Sequence, residues 1–129
     1  MHNYSVLAVL TILAGCAGPQ ASSGEYRSRA SIDRLFAASL RAVPSVGYTV
    51  TSSNQADGLI TAEQHVILGN GPAAGLTVII TRQGAESVLN VTFQAPPMTV
   101  ALGGLDSTVA EYVAAVRSTV PDIHASAAP

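Results

Sequence analysis

Leu76-Thr77-Val78-Ile79-Ile80-Thr81-Arg82, Gln83-Gly84-Ala85-Glu86 and Val88-Leu89-Asn90-Val91-Thr92-Phe93-Gln94 decide the fold. The first run is the most β-branched part of the chain, and β-branched side chains suit a pleated sheet. The last run alternates, turning Leu89, Val91 and Phe93 inward and leaving Asn90, Thr92 and Gln94 outside. The short polar break between them turns the chain and favours antiparallel neighbours.

Upstream, Val46, Tyr48 and Val50 alternate with small polar residues, which predicts a half-buried strand over Val46–Thr51. Ser52–Gly58 is a turn, with Asp57-Gly58 supplying the tight geometry. Leu59–Leu68 reads as the next strand, with Ile60, Ala62, Gln64, Val66 and Leu68 on one face, and Gly69–Gly75 as a loop. Ile32, Leu35, Phe36, Leu40 and Val43 recur at helical spacing behind a capping Ser31, and Pro44 and Gly47 end that helix. Pro96-Pro97 ends the last strand. A second helix is expected over Ser107–Val120, with Thr108 and Glu111 at capping-box spacing and Val109, Tyr112, Val113, Val116 and Val120 as its stripe. The expected fold is α+β, in the order α-β-β-β-β-α. It has a four-stranded antiparallel meander, two helices packed on one face, and a threonine- and glutamine-rich face left wet.

The N-terminus carries a different signal. Val6–Ala14 is apolar and uncharged, too short to span a bilayer, and ends in Leu13-Ala14-Gly15-Cys16. This resembles the signal peptide and lipobox of bacterial lipoproteins. The resemblance implies cleavage between Gly15 and Cys16 and a diacylglycerol on the Cys16 sulfur. It also implies a location in the cell envelope, and Ala17 after the cysteine favours the outer membrane, facing the periplasm. Several acyl chains, at about 0.8 kcal/mol per buried methylene, make such attachment effectively permanent.

The expected organisation is a signal peptide over residues 1–15, a lipidated flexible tether over 16–29, one α+β domain over 30–121 and a frayed tail over 122–129. As a coil, Ala17–Arg29 spans about 20 Å; stretched, it reaches about 45 Å. Residues 32–64 read as helix, Gly-Tyr strand, polar turn and strand. That pattern faintly resembles the repeated α+β domains of a lipoprotein component of the outer-membrane barrel-assembly machine. No motif accompanies the pattern, so no functional residue carries over.

Composition narrows the chemistry. Cys16 is the only cysteine, so no internal disulfide can form. The six basic residues are all arginines. From Cys16 to Pro44, Arg27, Arg29, Arg34 and Arg41 outweigh Glu25 and Asp33, a balance of +2. Beyond Pro44, Arg82 and Arg117 face six acidic residues, a balance of −4. The four early arginines could rest on anionic headgroups or form an ordinary solvated face. A net charge of −2 without a basic stripe argues against nucleic acid.

No cofactor or metal is expected. Gly69, Gly71 and Gly75 superficially suggest a phosphate loop, but a strand follows where a helix would be needed. His65 has Glu63 nearby, but no spacing supplies a third metal ligand. The uncharged stretch around Met98, Val100, Leu102 and Leu105 is the candidate partner or lipid contact, against a connection packed over the core. The leading expectation is a non-enzymatic, membrane-anchored lipoprotein that meets an envelope protein through the wet sheet face that carries Thr51, Thr61, Thr81 and Thr92, or through a strand edge. A periplasmic carrier or sensor of a small apolar or lipid ligand is the alternative, and an enzyme using His65 or a carboxylate pair comes third.

Overall fold

The computed structural model describes residues 20–64, 74–95 and 104–126. The chain runs β1 (Gln20–Ser28), α1 (Ile32–Ala42), a 3₁₀ turn (Val43–Val46), β2 (Thr49–Asn54), β3 (Leu59–Gln64), β4 (Ala74–Gln83), β5 (Glu86–Ala95), α2 (Gly104–Arg117) and β6 (His124–Ala125). One antiparallel sheet has the order β2-β3-β4-β5-β1-β6. The α+β class and the two helices agree with the sequence reading, whereas the expected order α-β-β-β-β-α and four-stranded meander give way to a six-stranded sheet in which β2 to β5 are consecutive neighbours.

Two segments depart from that reading. Gln20–Ser28, expected as tether, is a nine-residue strand paired along its length with β5, from Gln20 opposite Ala95 to Ser28 opposite Ser87. His124–Ala125, expected within a frayed tail, pairs with Tyr26 and Arg27 of β1, and Ile123 before it is buried. The sheet therefore has six strands, because backbone pairing recruits two segments that lack a hydrophobic period. On the inner side of β1, Tyr26 packs against the core cluster, while Ser22, Gly24 and Ser28 are small and leave room for α2 to lie close to the strand.

α1 begins as its sequence predicts: the Ser31 hydroxyl accepts from the Arg34 amide, and Asp33 sits in the first turn. Leu35, Phe36, Ala38 and Ala42 face the core. Gly47 ends the helical segment in the left-handed region at φ 81°, its amide bonded to Pro44. β2 starts later than expected, at Thr49, so Val46 lies in the 3₁₀ turn while Tyr48 remains buried. α2 starts earlier than expected, at Gly104, with Asp106 in its first turn accepting from the Ser22 hydroxyl. Thr108 thus lies inside the helix and is not its cap.

Both helices join one cluster with the inner face of the sheet. Ile60 and Ala62 of β3, Leu76, Val78 and Ile80 of β4, and Leu89, Val91 and Phe93 of β5 all belong to it. At its centre, Phe93 meets Tyr48 edge-on at 5.2 Å and Tyr112 at 6.0 Å. Such pairs contribute about 0.5–1.5 kcal/mol beyond burial. Tyr112 is fully buried and donates its hydroxyl to the Ser39 carbonyl at 2.8 Å. Burial holds the phenol in its neutral form far into the alkaline range. Tyr112→Phe keeps the ring and leaves that carbonyl short of a donor. The expected loss is about 1 kcal/mol in urea unfolding.

The β2–β3 turn is tied to the sheet at Gly58. Its φ is 66°, its carbonyl accepts from the Ile80 amide at 2.8 Å, and an added Cβ would run into the Ile80 carbonyl. Gly58→Ala must strain φ and break this contact, so a loss of about 2 kcal/mol or more is expected in thermal or urea unfolding.

Candidate functional site

The alternation that fills the core leaves the opposite sheet face without a covering element among the described residues. The pairing aligns that face in rows. Thr61 lies opposite Thr77, Thr77 opposite Thr92, and Thr92 opposite Ser23, giving a line of hydroxyls across four strands. The adjacent row is Leu59, Ile79, Asn90 and Glu25. Ile79 is the exposed large apolar side chain there, 42% accessible. Thr51 extends the hydroxyl row at a bulge between Val50 and Ser52, its Oγ1 lying 3.2 Å from both the carbonyl oxygen and Oγ1 of Thr61. β2 forms one free edge of the sheet, and beyond the Tyr26–Arg27 pairing with β6 the start of β1 forms the other.

Of the four threonines expected on this surface, Thr51, Thr61 and Thr92 gather in or beside the hydroxyl row, while Thr81 sits farther along β4, opposite Val88. Sequence alternation reveals the face. The row itself depends on register, which strand patterns alone do not set.

A second polar cluster fastens the C-terminal segment to β1. Arg27 reaches Glu86 at 3.8 Å, Gln83 at 2.9 Å and Ser126 at 3.2 Å. His124 Nε2 lies 3.9 Å from Glu86. Asp122 accepts from the Ser28 hydroxyl at 2.6 Å and the Arg29 amide at 2.8 Å. Arg34 donates to the Thr119 carbonyl and Arg117 to that of Ile123. Arg27 and Arg34, two of the arginines weighed as headgroup contacts, are thus engaged within the protein. The cluster is a clasp: exposed ion pairs and hydrogen bonds that hold chain segments together, without a nucleophile set between a base and an acid.

Among the described residues, no group of three His, Cys, Asp or Glu side chains could hold a metal ion. Within the same residues, no helix is long and apolar enough to cross a membrane. Gly15, Cys16, His65, Met98, Val100 and Leu102 lie outside the described residues, and Leu105 belongs to the first turn of α2.

The bonds from Ser28 and the Arg29 amide hold the Asp122 carboxyl below the usual carboxylate range. A carboxyl lowered on folding stabilises the protein above its unfolded value of about 4 and loses that contribution as pH falls through the folded value. Asp122→Asn is therefore expected to be less stable than the wild type at neutral pH, with the difference shrinking below about pH 4. Urea midpoints across pH 2.5–7 measure this.

No family model matches the chain, and no curated protein matches it in sequence. Among solved structures it is similar to Ara h 8.0201, at a TM-score of 0.55 and 10% identity, over 78% of this chain and 97% of that one. It also aligns with TTHA0849 from Thermus thermophilus, at a TM-score of 0.48 and 9% identity, over 79% and 97%. The likeness to Ara h 8.0201 is one of fold.

Proposed function

We propose that the chain is a lipoprotein of the bacterial envelope. It is anchored through Cys16 in the outer membrane, facing the periplasm, and presents a non-enzymatic α+β domain to another envelope protein. The observation that carries the contact half of this reading is the sheet face that no element covers among the described residues. A row of Thr61, Thr77, Thr92 and Ser23 beside exposed Ile79 offers hydroxyl donors and acceptors with one apolar anchor. The anchor half rests on Leu13-Ala14-Gly15-Cys16.

The carrier reading asks for an interior that receives an apolar guest. The space between sheet and helices holds Phe93 edge-on to both Tyr48 and Tyr112, with Leu35 and Val116 fully buried in the same cluster. That packing favours surface contact over an internal ligand. An acyl guest in that space would have to displace these rings.

Intact mass of protein extracted from membranes tests the anchor. A chain starting at Cys16 with acyl mass, absent from Cys16→Ser, is expected; an unacylated full-length chain would refute it. Photo-crosslinking tests the face. A reactive residue at Thr77 should yield a discrete adduct that weakens with Ile79→Glu, while one at Gln55 in the β2–β3 turn should not. Equal adducts from both positions, or none from Thr77, would count against a partner on this face.

A further inference from the structure

The sheet has two unlike ends. At one, β1 begins at Gln20, β3 ends at Gln64, β4 begins at Ala74 and β5 ends at Ala95. The register sets Gln20 opposite Ala95 and Gln64 opposite Ala74. α2 also starts here, since Asp106 meets Ser22. At the other end lie the β2–β3 and β4–β5 turns, the first turn of α1 and the clasp.

Charge divides the same way. Arg27, Arg29, Arg34, Arg82 and Arg117, with Asp33, Asp57, Glu86 and Asp122, belong to the clasp end. Among the described residues, the entry end, where β1 begins, carries Arg41, Glu63 and Asp106, and Glu25 and Glu111 fall between the two ends, within β1 and α2.

Because β1 starts at Gln20, Cys16 is four residues from the sheet, a reach of at most about 14 Å. β5, at ten residues, runs about 30 Å. The anchor is therefore shorter than the body it holds, and it attaches at the weakly charged end. We propose that this entry end is held against the lipid surface, with the clasp end pointing away into the periplasm. The inference rests on the lipid anchor of the proposed function. It goes further by fixing which end of the domain meets the bilayer, and it names the bilayer as the occupant of that end. Weakly charged surface loses little hydration when pressed against headgroups, whereas the ion-paired clasp end would lose much.

The chain has no tryptophan, so one introduced tryptophan is an unambiguous reporter. Gln94→Trp marks the entry end and Gln55→Trp the clasp end; both positions are exposed. The full-length lipidated protein is extracted from membranes and reconstituted in phosphatidylcholine–phosphatidylglycerol vesicles carrying a spin label high on the acyl chain. Its mass and its flotation with the vesicles are checked first. Emission from Gln94→Trp is expected to fall about twofold, with that from Gln55→Trp unchanged. Equal quenching at both positions, quenching only at Gln55→Trp, or none at either, in acylated vesicle-bound protein, overturns the orientation and leaves the anchor standing. A chain without acyl mass that stays off vesicles overturns both. If circular dichroism shows that Gln94→Trp does not fold, Gln64→Trp reports the same end.

Discussion

The pairing of β1 with β5 is the constraint on which the rest of this domain depends. Nine residues of β1 bond to β5 across most of the length of the chain. This strand covers what would otherwise be an edge of the hydrophobic hairpin. It gives α2 a surface to lie on and offers its own far edge to β6. The buried polar groups at its end follow from the same pairing. Ser28, enclosed where β1 leaves the sheet, donates to Asp122 and accepts from the Ala30 amide, and Ser87 donates to the Ala30 carbonyl. Each donor is satisfied at the point where strand turns into helix, and no described buried side-chain polar atom lacks a partner.

The elements legible in the sequence are those with a hydrophobic period. β3, β5 and α1 with its following turn bury most of the described residues that alternation or helical spacing selects, Ile60 and Ala62, Leu89, Val91 and Phe93, and Leu35, Phe36 and Val43, while Ile32 and Leu40 are half-buried and Gln64 is exposed; Gly58 and Gly47 punctuate them as expected. β1 was not legible, because Gln20–Ser28 contains only Ala21 and Tyr26 as apolar residues and is otherwise serine, glycine and charge. Of its inner positions only Tyr26 is large; Ser22, Gly24 and Ser28 beside α2 are small, and small polar residues look like linker. What makes it a strand is the ladder to β5, a long-range backbone interaction with no local signature. β6 escaped for a related reason: two residues cannot show a period, and buried Ile123 is a single signal.

The candidate face was legible by half. Alternation identifies Thr61 and Thr92 as outward, while the near-continuous β-branched run of β4 leaves the facing of Thr77 to the register. Their alignment into one row follows from three registers fixed jointly by the turns and by the inward hydrophobic set. Arg27 shows the opposite case. Its charge near the N-terminus suggested a headgroup contact, yet β1 carries it to the end of the sheet farthest from Gln20, where Glu86 and Gln83 hold it. Position along the sequence and position in space diverge because β1 runs the full height of the domain.

That height bears on the proposed anchor and the proposed contact face together. The outer rows are nearly free of charge, with Glu25, Glu63 and Arg27 confined to their margins, so long-range electrostatic steering contributes little to finding a partner. Hydroxyl rows also bond well to water, which leaves a small net gain for each bond exchanged on binding. A free domain with such a face would bind weakly. If the proposed anchor fastens it to a membrane, the same face would be confined to a thin layer with any partner held in that membrane, and the effective concentration would replace affinity that the surface lacks. A neutral, polar sheet face and the proposed lipid anchor would in this sense be complementary: each is a poor device for recognition without the other.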